Sequence, residues 1–198
     1  MTAVSGLYSR DKLCSGFSRD HMEDPGGSAP SWNRILVLEL PKPWFKDVSH
    51  SDHFPSEVSE TLARVEAKGQ PVRLQCVVPD PEYSVEGHCR VIFYSRPKMP
   101  FSTFLKDEFL VQIGEVGPLV EAFWDSPDSL SQFDRCRQDT LGVRDILVCT
   151  HGSRDVCCGT LGYPVYEELR FGHAPKLSGS LRIWEVSHLG GHRFAPNI

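Results

Sequence analysis

Residues 145–162 read DILVCTHGSRDVCCGTLG, and this stretch decides the fold class. Positions 146–150 form a short apolar run, as a buried strand requires. A glycine-containing loop follows, and residues 158–170 then read as a helix despite Gly162 and Pro164 near its start. After a loop over 172–180, residues 181–187 (LRIWEVS) form a second strand. The same order occurs upstream. Residues 34–40 (RILVLEL) are a strand stopped by Pro41 and Pro43. Residues 56–68 carry Val58, Leu62 and Val65 at helical spacing, with Gly69 behind them. Residues 72–78 (VRLQCVV) are a strand again. Repeated strand, helix and strand predict an α/β fold with helices layered on a sheet.

Residues 1–31 are polar and hold a Gly/Pro/Ser cluster over 25–31, which predicts an irregular lead-in. Residues 88–95 (HCRVIFYS) are a further strand candidate. Residues 101–111 read as helix, and the apolar run 116–124 continues in that sense. A polar connector with a helical turn around 130–133 reaches residue 139. The expected organisation is a lead-in over 1–31, an N-terminal α/β half over 32–138 and a second unit over 139–198. No repeat of fixed short period is present.

Composition limits the function classes. The chain has 198 residues, 40% hydrophobic and 24% charged, which suits a globular protein and not a disordered one. A net charge of −5 excludes a broad nucleic-acid-binding surface. No run of about 20 apolar residues predicts a membrane span. The first residues lack the apolar segment of a secretory signal, so a cytoplasmic protein is expected. Its thiols would then be reduced, and seven cysteines, an odd number, cannot all be paired as disulfides.

The densest reactive stretch is Cys149 to Gly159 (CTHGSRDVCCG), at the turn from a strand into a helix. Such loops are where α/β folds place their sites, and a helix start favours thiolate. Asp155 is a natural helix cap, and Arg154 adds positive charge beside it. The second stretch is His188-Leu-Gly-Gly-His192, directly after the last strand. If the two strands are parallel neighbours, both loops emerge at one edge and two Cys and two His converge. That donor set suits zinc or an iron–sulfur centre with two imidazole ligands.

The spacing Cys149-x-His151-Gly152-x-Arg154-Asp155-x-x-Cys158-Gly159 resembles the sucrase/ferredoxin-like family, as does His188-x-Gly-Gly-His192-Arg-Phe-Ala-Pro. Cys14-Ser15 with Ser18-Arg19, Gly27 to Pro30 with Trp32, Leu38-Glu-Leu-Pro41 and Pro43-Trp44 agree with it. The resemblance implies a thioredoxin-like ferredoxin holding a [2Fe–2S] cluster on Cys149, Cys158, His188 and His192. It implies one-electron transfer with a redox partner protein and no sucrase activity, and imidazole ligands whose remote N–H faces water would couple a proton to the electron. The N-terminal half would be a degenerate thioredoxin-like unit. The second, over 139–198, is shorter than the roughly 100 residues of a usual domain and reads as cut short at its C-terminus.

Other readings stay open at this stage. One is a structural Cys2His2 zinc site. Another is a thiol–disulfide protein using Cys149 with Cys158, or the vicinal Cys157 and Cys158, although the favoured Cys-x-x-Cys is missing. A third is an adaptor without a cofactor. Cys76 and Cys89 sit in apolar strand runs and read as core residues. Cys14 and Cys136 are left outside the site. His151 is either a group supporting the ligands or a solvated loop residue, and Arg154 either stabilises an anionic centre or is a surface charge.

Overall fold

The computed structural model describes residues 13–99, 102–177 and 180–198. The elements run α1 (Cys14–Asp20), β1 (Arg34–Glu39), α2 (Ser56–Ala67), β2 (Arg73–Val77), β3 (His88–Ser95), β4 (Leu105–Gln112), α3 (Val116–Trp124), β5 (Arg144–Cys149), α4 (Tyr163–Glu167) and β6 (Leu181–Val186). The fold is mixed α/β. Its residues group into two units, Ser31–Val143, and Arg144–Ile198 with Met1–Pro30.

In the first of these units β1 buries Leu36, Val37 and Leu38 in succession, so both of its faces are covered. It pairs in parallel with β2, Ile35 beside Arg73, and antiparallel with β3, Leu36 opposite Phe93. β3 in turn pairs antiparallel with β4. Leu36, Leu38, Val58, Cys76, Phe93 and Leu119 belong to one core. The Phe93 ring stacks on Phe123 at 3.7 Å and meets Trp124 edge-on at 5.0 Å. Cys76 and Cys89 are buried here, and burial pushes the Cys89 thiol up to about 12.

The helix expected over 101–111 is not formed. Residue 101 lies outside the described residues, and Leu105–Gln112 is strand β4. The apolar positions mimic helical spacing, but eight residues of β4 find cross-strand partners on β3. Phe109 and Val111 both point inward and are fully buried. Glu108 is only 1% exposed, and it is held by Arg90 of β3 and by Lys106 Nζ at 3.1 Å. Arg90 also serves Glu39, its backbone N–H donating to Oε2 at 2.9 Å. The Arg90 guanidinium thus faces two buried carboxylates, its Nε 3.7 Å from Glu39 Oε1, and Lys106 assists it at Glu108.

The other unit carries the parallel pair β5 and β6, registered from Arg144 beside Leu181 to Cys149 beside Val186. Asp145 fastens their first residues, accepting from Arg182 Nε and Trp184 Nε1, each at 2.8 Å. The helical stretch 156–177 crosses between the strands, as parallel pairing demands. It contains two π-helical segments, Cys158–Gly162 and Glu168–His173, and a closing 3₁₀ turn, Ala174–Leu177. Thus the expected 172–180 loop is helical over 172–177, and Ser180 is a bend before β6. Val165 and Leu169 pack against Val148 and Ile183. Part of the segment expected as an irregular lead-in is also ordered as helix: α1 starts beside Leu13, which packs with Cys157 and Ala195. Among the described residues no helix is long and apolar enough to cross a membrane.

Replacing Arg90 by Ala leaves Glu39 and Glu108 buried without their shared cation. The expected loss is about 3–5 kcal/mol in urea unfolding, while Glu66→Ala on the exposed face of α2 changes stability by less than about 0.5 kcal/mol. Equal effects of the two substitutions contradict the role given to Arg90.

Candidate metal centre

Because β5 and β6 are parallel and Cys149 lies beside Val186, the loops over 150–155 and 187–191 leave the strands at the same edge. The first loop turns into a helix that Asp155 caps: its Oδ1 accepts the backbone N–H of Cys157 at 2.9 Å. Cys158 is thereby carried back toward the end of β5. The sulfurs of Cys149 and Cys158 and a ring nitrogen of His188 all lie within 4.8 Å of one another. Cys158 Sγ is 3.6 Å from His188 Nδ1. Both cysteines are fully buried, and His188 is partly exposed. This group can hold a metal ion or a metal–sulfur centre.

Its electrostatics favour one thiolate. The Cys158 thiol donates to the Cys149 sulfur, and the backbone N–H groups of Leu189 and His151 also donate to that sulfur. Together they outweigh burial and lower the Cys149 thiol to about 6, while the same bond and burial raise Cys158 steeply. The two sulfurs thus share one proton at neutral pH, and an incoming metal displaces it.

The remaining expected site residues occupy distinct positions. His151 is 2% exposed, and its Nδ1 accepts the backbone N–H of His188 at 3.1 Å, which ties the two loops together. His192 lies outside the three-residue group. Its ring centre is 6.1 Å from that of His188, and its Nε2 is 3.7 Å from Asp155 Oδ2. Arg154 sits on an exposed turn, its backbone N–H donating to the His151 carbonyl at 3.2 Å. Cys157 and Cys158 do not face the same way. Cys157 is turned toward Cys14, sulfur to sulfur at 2.9 Å.

Glycine makes the approach of helix and strand possible. A Cβ on Gly162 would stand 1.9 Å from the Cys149 carbonyl oxygen, and one on Gly159 would stand 2.8 Å from Gly152 Cα. In the histidine loop Gly190 and Gly191 have φ of +99° and +62°, which a side chain rarely tolerates. Asn197 holds this loop from the end of the chain, donating to the carbonyls of Gly190 at 2.8 Å and Gly191 at 3.0 Å. Its own carbonyl accepts the Cys149 N–H at 3.0 Å. Asn197 and the Cys14–Cys157 contact escaped the sequence reading. No spacing marks either of them, and only the presence of Cys14-Ser15 among the family-like pieces pointed toward the N-terminus.

A protein-family model described as sucrase/ferredoxin-like matches residues 25–198. Altered inheritance of mitochondria protein 32 of Meyerozyma guilliermondii is 35% identical over 54 residues, a stretch that covers 27% of this chain and 19% of that protein. The chain therefore matches about a fifth of that relative's length. No solved structure matches.

Gly162→Ala forces the helix away from the Cys149 carbonyl and is expected to cost at least about 1–3 kcal/mol in thermal unfolding. Gly172→Ala is the control, since its Cβ meets only the end of the Glu168 side chain, 2.7 Å away, which is exposed and tied only by a solvent-exposed ion pair to His173. That substitution leaves stability unchanged or slightly raised. A Gly162→Ala protein as stable as Gly172→Ala refutes the close packing described.

Proposed function

Because the chain belongs to the sucrase/ferredoxin-like family, we propose that it is an electron-transfer protein with a [2Fe–2S] cluster on Cys149, Cys158, His188 and His192. The observation that carries the reading is the convergence of Cys149, Cys158 and His188 within 4.8 Å, with His192 on the adjoining turn. The donor set fits the group: two sulfurs sharing one proton and two imidazoles on a glycine-rich loop. Bound there, such a cluster supplies a one-electron redox centre, its potential raised by the imidazole ligands relative to four thiolates.

The chain's own residues prepare that site. Leu189 and His151 offer backbone N–H groups to the Cys149 sulfur and favour its anionic form. His151 positions His188 through the backbone, and Asp155 lies where it can orient the His192 ring. His192, with 42% of its side chain exposed, is the ligand on the solvent side. It marks the face on which a redox partner protein docks and through which a proton can be exchanged with water. Keeping the two ligand thiols, Cys149 and Cys158, reduced suits a reducing compartment such as the cytoplasm.

Anaerobically purified protein is expected to be red-brown, with about two iron and two sulfide per chain. His188→Cys is expected to retain the cluster with a lower midpoint potential. A colourless protein with one zinc, or an unchanged potential in the His188 variant, overturns this assignment.

A further inference from the structure

Successive residues on a helix point about 100° apart. Cys157 and Cys158 therefore serve different neighbourhoods, and Cys157 is not needed by the centre on Cys149. Its sulfur lies 2.9 Å from that of Cys14, across 143 residues of sequence. Cys157 is fully buried and Cys14 partly exposed, in an apolar setting of Leu13, Leu161 and Ala195. A carboxylate of Asp155 is nearby, so a second metal site is the obvious alternative. Two points argue against it. Asp155 Oδ1 is already engaged by the Cys157 N–H, and Oδ2 faces His192. Two thiolates around a tetrahedral ion stand about 3.8 Å apart, well beyond the 2.9 Å found here. A disulfide requires about 2.05 Å, so the pair is under about 1 Å from bonding distance.

We propose that Cys14 and Cys157 are a thiol–disulfide pair, oxidised by low-molecular-weight disulfides of the glutathione type, that fastens α1 to the helix carrying Cys158. The partly exposed Cys14 sulfur loses its proton and attacks one sulfur of the small disulfide, releasing one small thiol and leaving a mixed disulfide on Cys14. The Cys157 sulfur then attacks Cys14 Sγ, displaces the second small thiol and passes its proton to it. Two protein thiols are oxidised by two electrons, and one small disulfide is reduced to two thiols. Burial and the Cys157 contact push the Cys14 thiol up to about 11, which slows the first attack and calls for incubation over hours. The bond closes between α1 and the residue next to Cys158, and it forms whichever metal the neighbouring centre holds.

The test uses the full chain, freed of reductant and incubated with oxidised or reduced glutathione. It is then denatured, alkylated with a mass-tagged maleimide and digested for mass spectrometry. Oxidised glutathione is expected to reduce the tagged thiols from seven to five and to yield a peptide joining Cys14 to Cys157. That peptide disappears in Cys14→Ser and in Cys157→Ser and is reversed by reduced glutathione. Seven tagged thiols after oxidation overturn the proposal. So does a linkage of Cys149 or Cys157 to Cys158, or a glutathione adduct that stays on Cys14 without transfer to Cys157.

Discussion

The parallel register of β5 and β6 is the constraint on which the site depends. It sets Cys149 beside Val186 and sends the cysteine and histidine loops out at one edge. Parallel strands cannot be joined by a tight turn, so the chain must cross over, and the helical stretch 156–177 does so. The crossover helix has to begin almost against the end of β5 if Cys158 is to meet Cys149. Gly162 permits this, because any side chain there would strike the Cys149 carbonyl. Asn197 then closes the arrangement from the other side, holding both the histidine loop and the Cys149 N–H.

Asp155 connects several of these features. It caps the helix that presents Cys157 and Cys158, and it lies within 3.7 Å of His192. Its charge is felt by Cys14, Cys149 and Cys158, and in each case it opposes loss of the thiol proton. At Cys149 the hydrogen bond from the Cys158 thiol, helped by the backbone N–H groups of Leu189 and His151, overcomes that opposition. One sulfur of the buried pair is thus prepared as an anion while its neighbour keeps the proton. In the unit Ser31–Val143 the comparable economy is around Arg90, which offsets the burial of Glu39 and Glu108 together.

The strands β1, β2, β3, β5 and β6 and helices α2 and α3 were legible because their apolar residues repeat at the right period or form short bounded runs. β4 was not, because Leu105 to Gln112 has no strand signal of its own. Its inward residues become intelligible once β3 supplies Arg90 for Glu108 and a core for Phe109. α1 was hidden for a related reason: CSGFSRD is polar and short, and it is held by Leu13, Cys157 and Ala195. A helix of that length has little stability without tertiary packing.

From its sequence alone the protein has an α/β order of elements and two motifs that bring Cys149, Cys158, His188 and His192 into consideration together. These follow from local period and spacing, which a single chain displays openly. Tertiary structure decided which cysteine meets which. It turned Cys158 toward Cys149 and His188 and Cys157 toward Cys14, and it gave His151 to the His188 backbone. It also left His192 leaning to Asp155 at the solvent edge. The reason is distance along the chain. Apart from Cys149 and Cys158, these partners stand 30 to 143 residues apart and share no periodicity, and only the packing of the crossover helix and α1 brings their atoms into contact.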